Sequence, residues 1–63
     1  MISADLGILA YIKNSPRSVS SYEIAVELGM HQRTAQRHLK ALYQAGYLEK
    51  NKARLQTYVF KGF

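Results

Sequence analysis

Two helical patterns separated only by Leu28-Gly29-Met30-His31 limit more than any other feature what this chain can fold into. Upstream, Ser20 precedes a helical run and Glu23 follows three residues later. That spacing predicts a capping box, in which each residue satisfies a loose amide of the other. Ile24, Ala25 and Leu28 supply the inner face, and Gly29 ends the helix because glycine tolerates the left-handed turn that follows. Downstream, Ala35, Leu39 and Leu42 mark the buried stripe of a second helix over residues 32–45, closed by Gly46 in the same way. Helices joined by so short a glycine turn pack steeply against each other, which is the helix-turn-helix pattern.

The flanking segments complete a small core. An earlier helix is expected from about Ala4 to Lys13, with Ser3 as its cap and Asp5 near the positive end of its dipole. Ile2, Leu6, Leu9 and Ile12 give it an apolar stripe. Asn14-Ser15-Pro16 ends it, since proline forces the preceding residue out of the helical region. Arg17-Ser18-Val19-Ser20 is a connector with room for one brief strand. After Gly46 the pattern changes: Tyr47–Lys50 and Leu55–Phe60 are rich in β-branched and aromatic residues around the polar Asn51-Lys52-Ala53-Arg54. This predicts a β-hairpin, although no Asn-Gly pair defines its tip. The expected fold is mainly α with a small β-hairpin, a three-helix winged helix-turn-helix forming a single domain over residues 1–63.

A chain of 63 residues buries only about 60% of the surface its unfolded form exposes, and without cysteine it has no disulfide or thiolate metal site to help. No apolar run approaches the roughly 18 residues of a membrane span, and the amino terminus has no signal-peptide pattern. A cytoplasmic protein is expected. The net charge of +5 is unevenly placed. Residues 1–30 carry Lys13 and Arg17 against Asp5, Glu23 and Glu27, a net of −1. Residues 31–63 carry Arg33, Arg37, Lys40, Lys50, Lys52, Arg54 and Lys61 against Glu49, a net of +6. One basic half points to a polyanion-facing surface.

The second helix of the pair would present that surface. Gln32, Arg33, Thr34, Gln36 and Arg37 fall in the turns that meet base edges in helix-turn-helix geometry. Arg can bond guanine O6 and N7, Gln can pair with adenine, and the Thr methyl can touch thymine. Lys40, one turn later, suits a phosphate. A merely solvated face would mix in carboxylates for pairing along the helix, and this one has none. Lys50, Lys52 and Arg54 lie where the hairpin would meet the DNA backbone, though lysines also protect an edge strand from aggregation.

The run Gly29-Met30-His31-Gln32-Arg33-Thr34-Ala35-Gln36-Arg37-His38-Leu39-Lys40-Ala41-Leu42-Tyr43-Gln44-Ala45-Gly46-Tyr47-Leu48 resembles the recognition-helix stretch of ArsR-, MarR- and IclR-type winged-helix regulators. Ser20–Ala25 resembles their capped preceding helix. Thr57–Gly62 is similar, over a short stretch, to the small fimbrial-operon regulators of the PapI and FaeA kind. The resemblance implies double-stranded DNA as partner, base or backbone contact by Gln32, Arg33, Thr34, Gln36, Arg37 and Lys40, and core roles for Ala35, Leu39 and Leu42. The sequence departs from the pattern at Ala35, where a larger aliphatic residue is usual, and at His31, where Ser or Thr often caps. It has no dedicated dimer helix, so the expected dimer is a weak one formed on DNA.

Other chemistries are poorly supplied. His31 and His38 have no third metal ligand, and His38 reads as a partly buried residue behind the recognition helix. The carboxylates Asp5, Glu23, Glu27 and Glu49 are scattered, no serine has a base beside it, and no phosphate loop is present. The expectation is therefore a non-enzyme with no cofactor and no metal. Tyr43, Tyr47, Tyr58 and Phe60 could stack on single-stranded bases, but three of them fall on or beside the hairpin, where aromatic residues close the core, and Tyr11 and Tyr22 read as packing residues with their hydroxyls at the surface. A winged helix serving protein interaction is the alternative function. Z-form nucleic-acid recognition wants a proline in the wing, and there is none.

Overall fold

The computed structural model describes residues 3–54 and 56–61. The chain runs α1 (Ser3–Asn14), β1 (Val19–Ser20), α2 (Ser21–Leu28), α3 (Gln32–Gln44), β2 (Leu48–Lys50) and β3 (Thr57–Phe60). This is the expected three-helix winged helix-turn-helix, with a three-stranded antiparallel sheet in the order β1-β3-β2. The expected roles of Ile2, the Ser3 hydroxyl, Leu55 and Gly62 lie outside the described residues.

α1 buries Ile8, Leu9 and Ile12, with Asp5 on the same face at helical spacing. Leu6, expected in that stripe, is 54% exposed. So apolar a helix offers two overlapping stripes, and the packing of α2, α3 and β3 selects the one through Ile8. At its end Asn14 Nδ2 donates to the Ala10 carbonyl at 2.9 Å and Ser15 Oγ to that of Tyr11 at 2.7 Å. These side chains add hydrogen bonds to carbonyls of the last two turns, and Pro16 then turns the chain away.

Ser20 sits in extended conformation before α2 and its Oγ accepts from Glu23 N at 3.2 Å. The return half of the expected capping box is not made, because Glu23 Oε2 instead accepts from the Tyr11 hydroxyl at 2.9 Å. Gly29 takes φ +67°, and its N–H and that of Met30 both reach the Ala25 carbonyl, a Schellman closure. Leu28, expected inside, stands at the edge with its side chain partly in solvent.

α3 ends one residue earlier than expected. Ala45 stays right-handed and Gly46 makes the turn at φ +93°. Gly46 N bonds to the Tyr43 carbonyl at 3.1 Å and Tyr47 N to that of Leu42 at 3.0 Å. This second Schellman closure delivers the chain directly into β2.

β3 is the central strand. It pairs with β1 through Val19↔Tyr58 and Ser20↔Thr57, and with β2 through Leu48↔Phe60, Glu49↔Val59 and Lys50↔Tyr58. The brief strand allowed for in the connector thus becomes a third strand. β3 of the second hairpin run is Thr57–Phe60, and Gln56 just before it adopts φ +60°. Across the tip, Asn51 Oδ1 accepts from Ala53 N at 2.9 Å and Asn51 N donates to the Thr57 carbonyl at 3.1 Å.

One core joins the elements: Ile8, Leu9 and Ile12 of α1, Val19 of β1, Ile24 and Ala25 of α2, Ala35, Leu39 and Leu42 of α3, and Leu48 of β2. Each large member contributes roughly 1.5–3 kcal/mol by leaving water. Tyr11, Tyr47, Tyr58 and Phe60 pack against this cluster, as closure of the core requires. Tyr22, expected to pack, is 65% exposed on the outer side of α2.

Candidate nucleic-acid interface

The core stripe of α3 fixes which of its side chains face outward. With Ala35, Leu39 and Leu42 inside, Gln32, Arg33, Gln36, Arg37 and Lys40 line one continuous open surface, and all five are exposed. No carboxylate interrupts it. Thr34 is half-buried and does not line this surface, since it sits about 130° around the helix from the middle of the face that the other five share. Gln32 also reaches back to α2, its Nε2 donating to Ser21 Oγ at 3.4 Å. His31 occupies the N-cap position without a side-chain cap bond, and its carbonyl accepts from Ala35 N at 3.0 Å.

Behind this surface His38 Nδ1 lies 2.8 Å from Asp5 Oδ1. The helix carrying the cations is therefore tied by a polar contact as well as by its core residues. His38 is partly buried behind the helix, as expected, but its specific partner was not foreseen. Among the described residues no three His, Cys, Asp or Glu side chains gather where a metal could be held.

The three wing cations do not act as one cluster. Lys50, at the end of β2, places Nζ 4.8 Å from the centroid of the Tyr43 ring on α3. Arg54 turns the other way, its Nη1 donating to the Ser18 carbonyl at 2.9 Å. Lys52 is exposed at the tip. Between the wing, α3 and the start of α2 runs a groove lined by Ser21, Gln36, Leu39, Lys50, Gln56 and Tyr58. It holds one cation, several hydroxyls and amides, and no carboxylate. Sequence reasoning missed Ser21, Gln56 and Tyr58: Ser21 is set there by the packing of α2 on α3, and Gln56 and Tyr58 by the Lys50↔Tyr58 register, which no turn signal announces.

On the opposite side the Tyr11 phenol is raised above 10.0, chiefly by its hydrogen bond to Glu23, with desolvation and the charges of Glu23 and Glu27 acting the same way. Glu23 thus holds α1, and neither carboxylate of α2 lines the cationic surface.

A helix pair joined at a glycine turn, its second member carrying an exposed cation-and-amide surface and followed by a hairpin, defines a winged helix-turn-helix domain. A model of the MarR family matches residues 1–55. The chain belongs to the MarR family, whose winged helices are the DNA-binding domains of transcription regulators. No curated protein and no solved structure matches the chain. Among the described residues no helix is long and apolar enough to cross a membrane.

Proposed function

We propose that the chain binds double-stranded DNA with sequence specificity, as a small cytoplasmic transcriptional regulator that represses by occupying its operator. One observation carries this reading: the outer face of α3 is a single open surface of Gln32, Arg33, Gln36, Arg37 and Lys40, free of carboxylates, on a MarR-family winged helix. In the major groove, Arg33 and Arg37 can donate in pairs to guanine and Gln32 and Gln36 can bond adenine. Thr34 flanks them for a thymine methyl, and Lys40 meets phosphate. The wing, residues 50–54, lies along the backbone through Lys50 and Lys52, while Arg54, anchored on Ser18 on the other side of the wing, adds its charge at longer range. Two copies occupying paired half-sites would form a weak homodimer on the DNA.

A second reading rests on Tyr22 and Val26, which are 65% and 60% exposed four residues apart on α2. They would anchor a protein partner if the domain is an interaction module. Titration of a random-sequence duplex at several salt concentrations separates the two. DNA binding predicts steep loss of affinity with salt, roughly 0.9 log units per log unit of salt for each phosphate neutralised, with weaker binding in an Arg33→Ala, Arg37→Ala double variant. Absence of binding at low salt would sink the DNA reading and leave the interaction module.

A further inference from the structure

We infer that Tyr43 is a positioning residue, which holds the Lys50 ammonium at the rim of the helix–wing groove where a DNA backbone phosphate would pass. The inference rests on the DNA-binding reading above. Tyr43 lies seven residues after Gln36, so the two share a side of α3 to within about 20°. That stripe runs from the base-reading end of the helix toward the wing. Its last member meets two residues that the sheet pairs with each other. Lys50 Nζ lies 4.8 Å from the Tyr43 ring centroid, and Tyr58 meets Tyr43 edge-on with centroids 6.0 Å apart and planes at 61°.

This arrangement does for a lysine what its own chain cannot. Lysine is a point charge on a flexible four-carbon stem, and ordering a free one on a phosphate costs part of the affinity it supplies. The face of an aromatic ring attracts the ammonium, and Tyr58 braces that ring. Lys50 lines the groove that also holds Gln36, and with Tyr43 it lines the neighbouring surface beside Glu49, Lys52 and Lys61, so the ring holds the charge at the ridge between the two. Tyr43 itself is 39% exposed and lies outside the core cluster and the residues packed against it, so its ring is held by Tyr58 and Lys50 rather than by the core. Arg54 is fastened on the far side of the wing by Ser18, which leaves Lys50 as the cation lining this groove.

The test uses the whole chain and a random-sequence duplex, with affinity measured across salt for the parent, Tyr43→Phe, Tyr43→Leu, Lys50→Gln and the Tyr43→Leu, Lys50→Gln double variant. Lys50→Gln should weaken binding and reduce the salt slope by about one. Tyr43→Leu, which leaves every charge in place, should cost about two- to fivefold in affinity, the equivalent of an exposed cation–π contact. The double variant should bind no more weakly than Lys50→Gln, and Tyr43→Phe should bind like the parent. In the DNA-free protein, the Lys50 side-chain methylene protons next to the ammonium should show an upfield ring-current shift that Phe preserves and Leu abolishes. Parent-like binding by Tyr43→Leu, additive losses in the double variant, or failure of Phe to rescue would overturn the positioning role. If the parent itself fails to bind at low salt, the DNA reading falls and the role of Lys50 with it, while the ring-current shift still reports the contact.

Discussion

His38 on the back of α3 and Asp5 in the first turn of α1 meet through Nδ1 and Oδ1 at 2.8 Å, with 22% and 21% of their side chains exposed. The contact joins the helix bearing the cationic surface to the amino-terminal helix, beside the apolar core residues Ile8, Leu9 and Ile12 of α1 and Ala35, Leu39 and Leu42 of α3. A partly solvated hydrogen-bonded pair of this kind is worth about 1 kcal/mol. Asp5→Ala and His38→Ala should each lower stability by about that much, which for a domain of this size is roughly 4–8 °C in Tm. The double variant should cost less than the two singles together. Denaturant titration of the four proteins measures the coupling, and strictly additive losses would show that the pair contributes nothing.

Tyr11 and Glu23 give the fold a second polar tie, with a defined pH signature. The folded phenol is raised above 10.0 because it donates to Glu23, so the native state holds that proton more tightly than the unfolded chain does. The contribution is therefore complete below the unfolded value and is lost as pH rises through the folded one. Stability of the parent should fall more steeply above pH 10 than that of Tyr11→Phe. The variant should be less stable than the parent near neutrality, and the gap should narrow in alkali. Thermal melts between neutral and alkaline pH read the comparison, and parallel curves would refute it.

Arg54 and Lys52 should separate the shaping of the wing from its charge. Arg54 donates to the Ser18 carbonyl, linking the hairpin tip to the approach to β1, whereas Lys52 is exposed. Lys52→Ala should reduce the salt slope of DNA binding by about one and leave stability within about 0.5 kcal/mol. Arg54→Lys keeps the charge without the planar fork, so it should preserve the slope while lowering Tm. An unchanged Tm in Arg54→Lys would show that the Ser18 contact does not hold the wing.

The parts legible in the sequence are those whose determinants are local. Ser20, Gly29 and Gly46 act within a turn of their own positions, and α2, α3 and the bend between them fall where those residues place them, to within a residue. The outer face of α3 follows from the spacing of Ala35, Leu39 and Leu42. What could not be read depends on partners far along the chain. Ile8 replaces Leu6 inside because of what packs against α1. Glu23 leaves its capping partner because Tyr11 arrives from another helix. The third strand exists because Val19 meets Tyr58. The helix–wing groove belongs to the same group: Gln36 and Lys50 were both candidates, but the hairpin register that sets them on one groove has no local signal.

Gln56 holds φ +60° immediately before β3, a conformation that costs a residue with a β-carbon roughly 1 kcal/mol relative to glycine. Glycine there would relieve that cost and give back part of it through the greater freedom of the unfolded chain. Gln56→Gly should therefore raise stability by up to about 1 kcal/mol, while Gln56→Val should lower it, since a β-branched residue resists this region. Gln56 also lines the helix–wing groove, so the glycine variant should gain in Tm and lose modestly in DNA affinity. A glycine variant less stable than the parent would mean that the Gln56 side chain contributes more to the wing than its backbone costs.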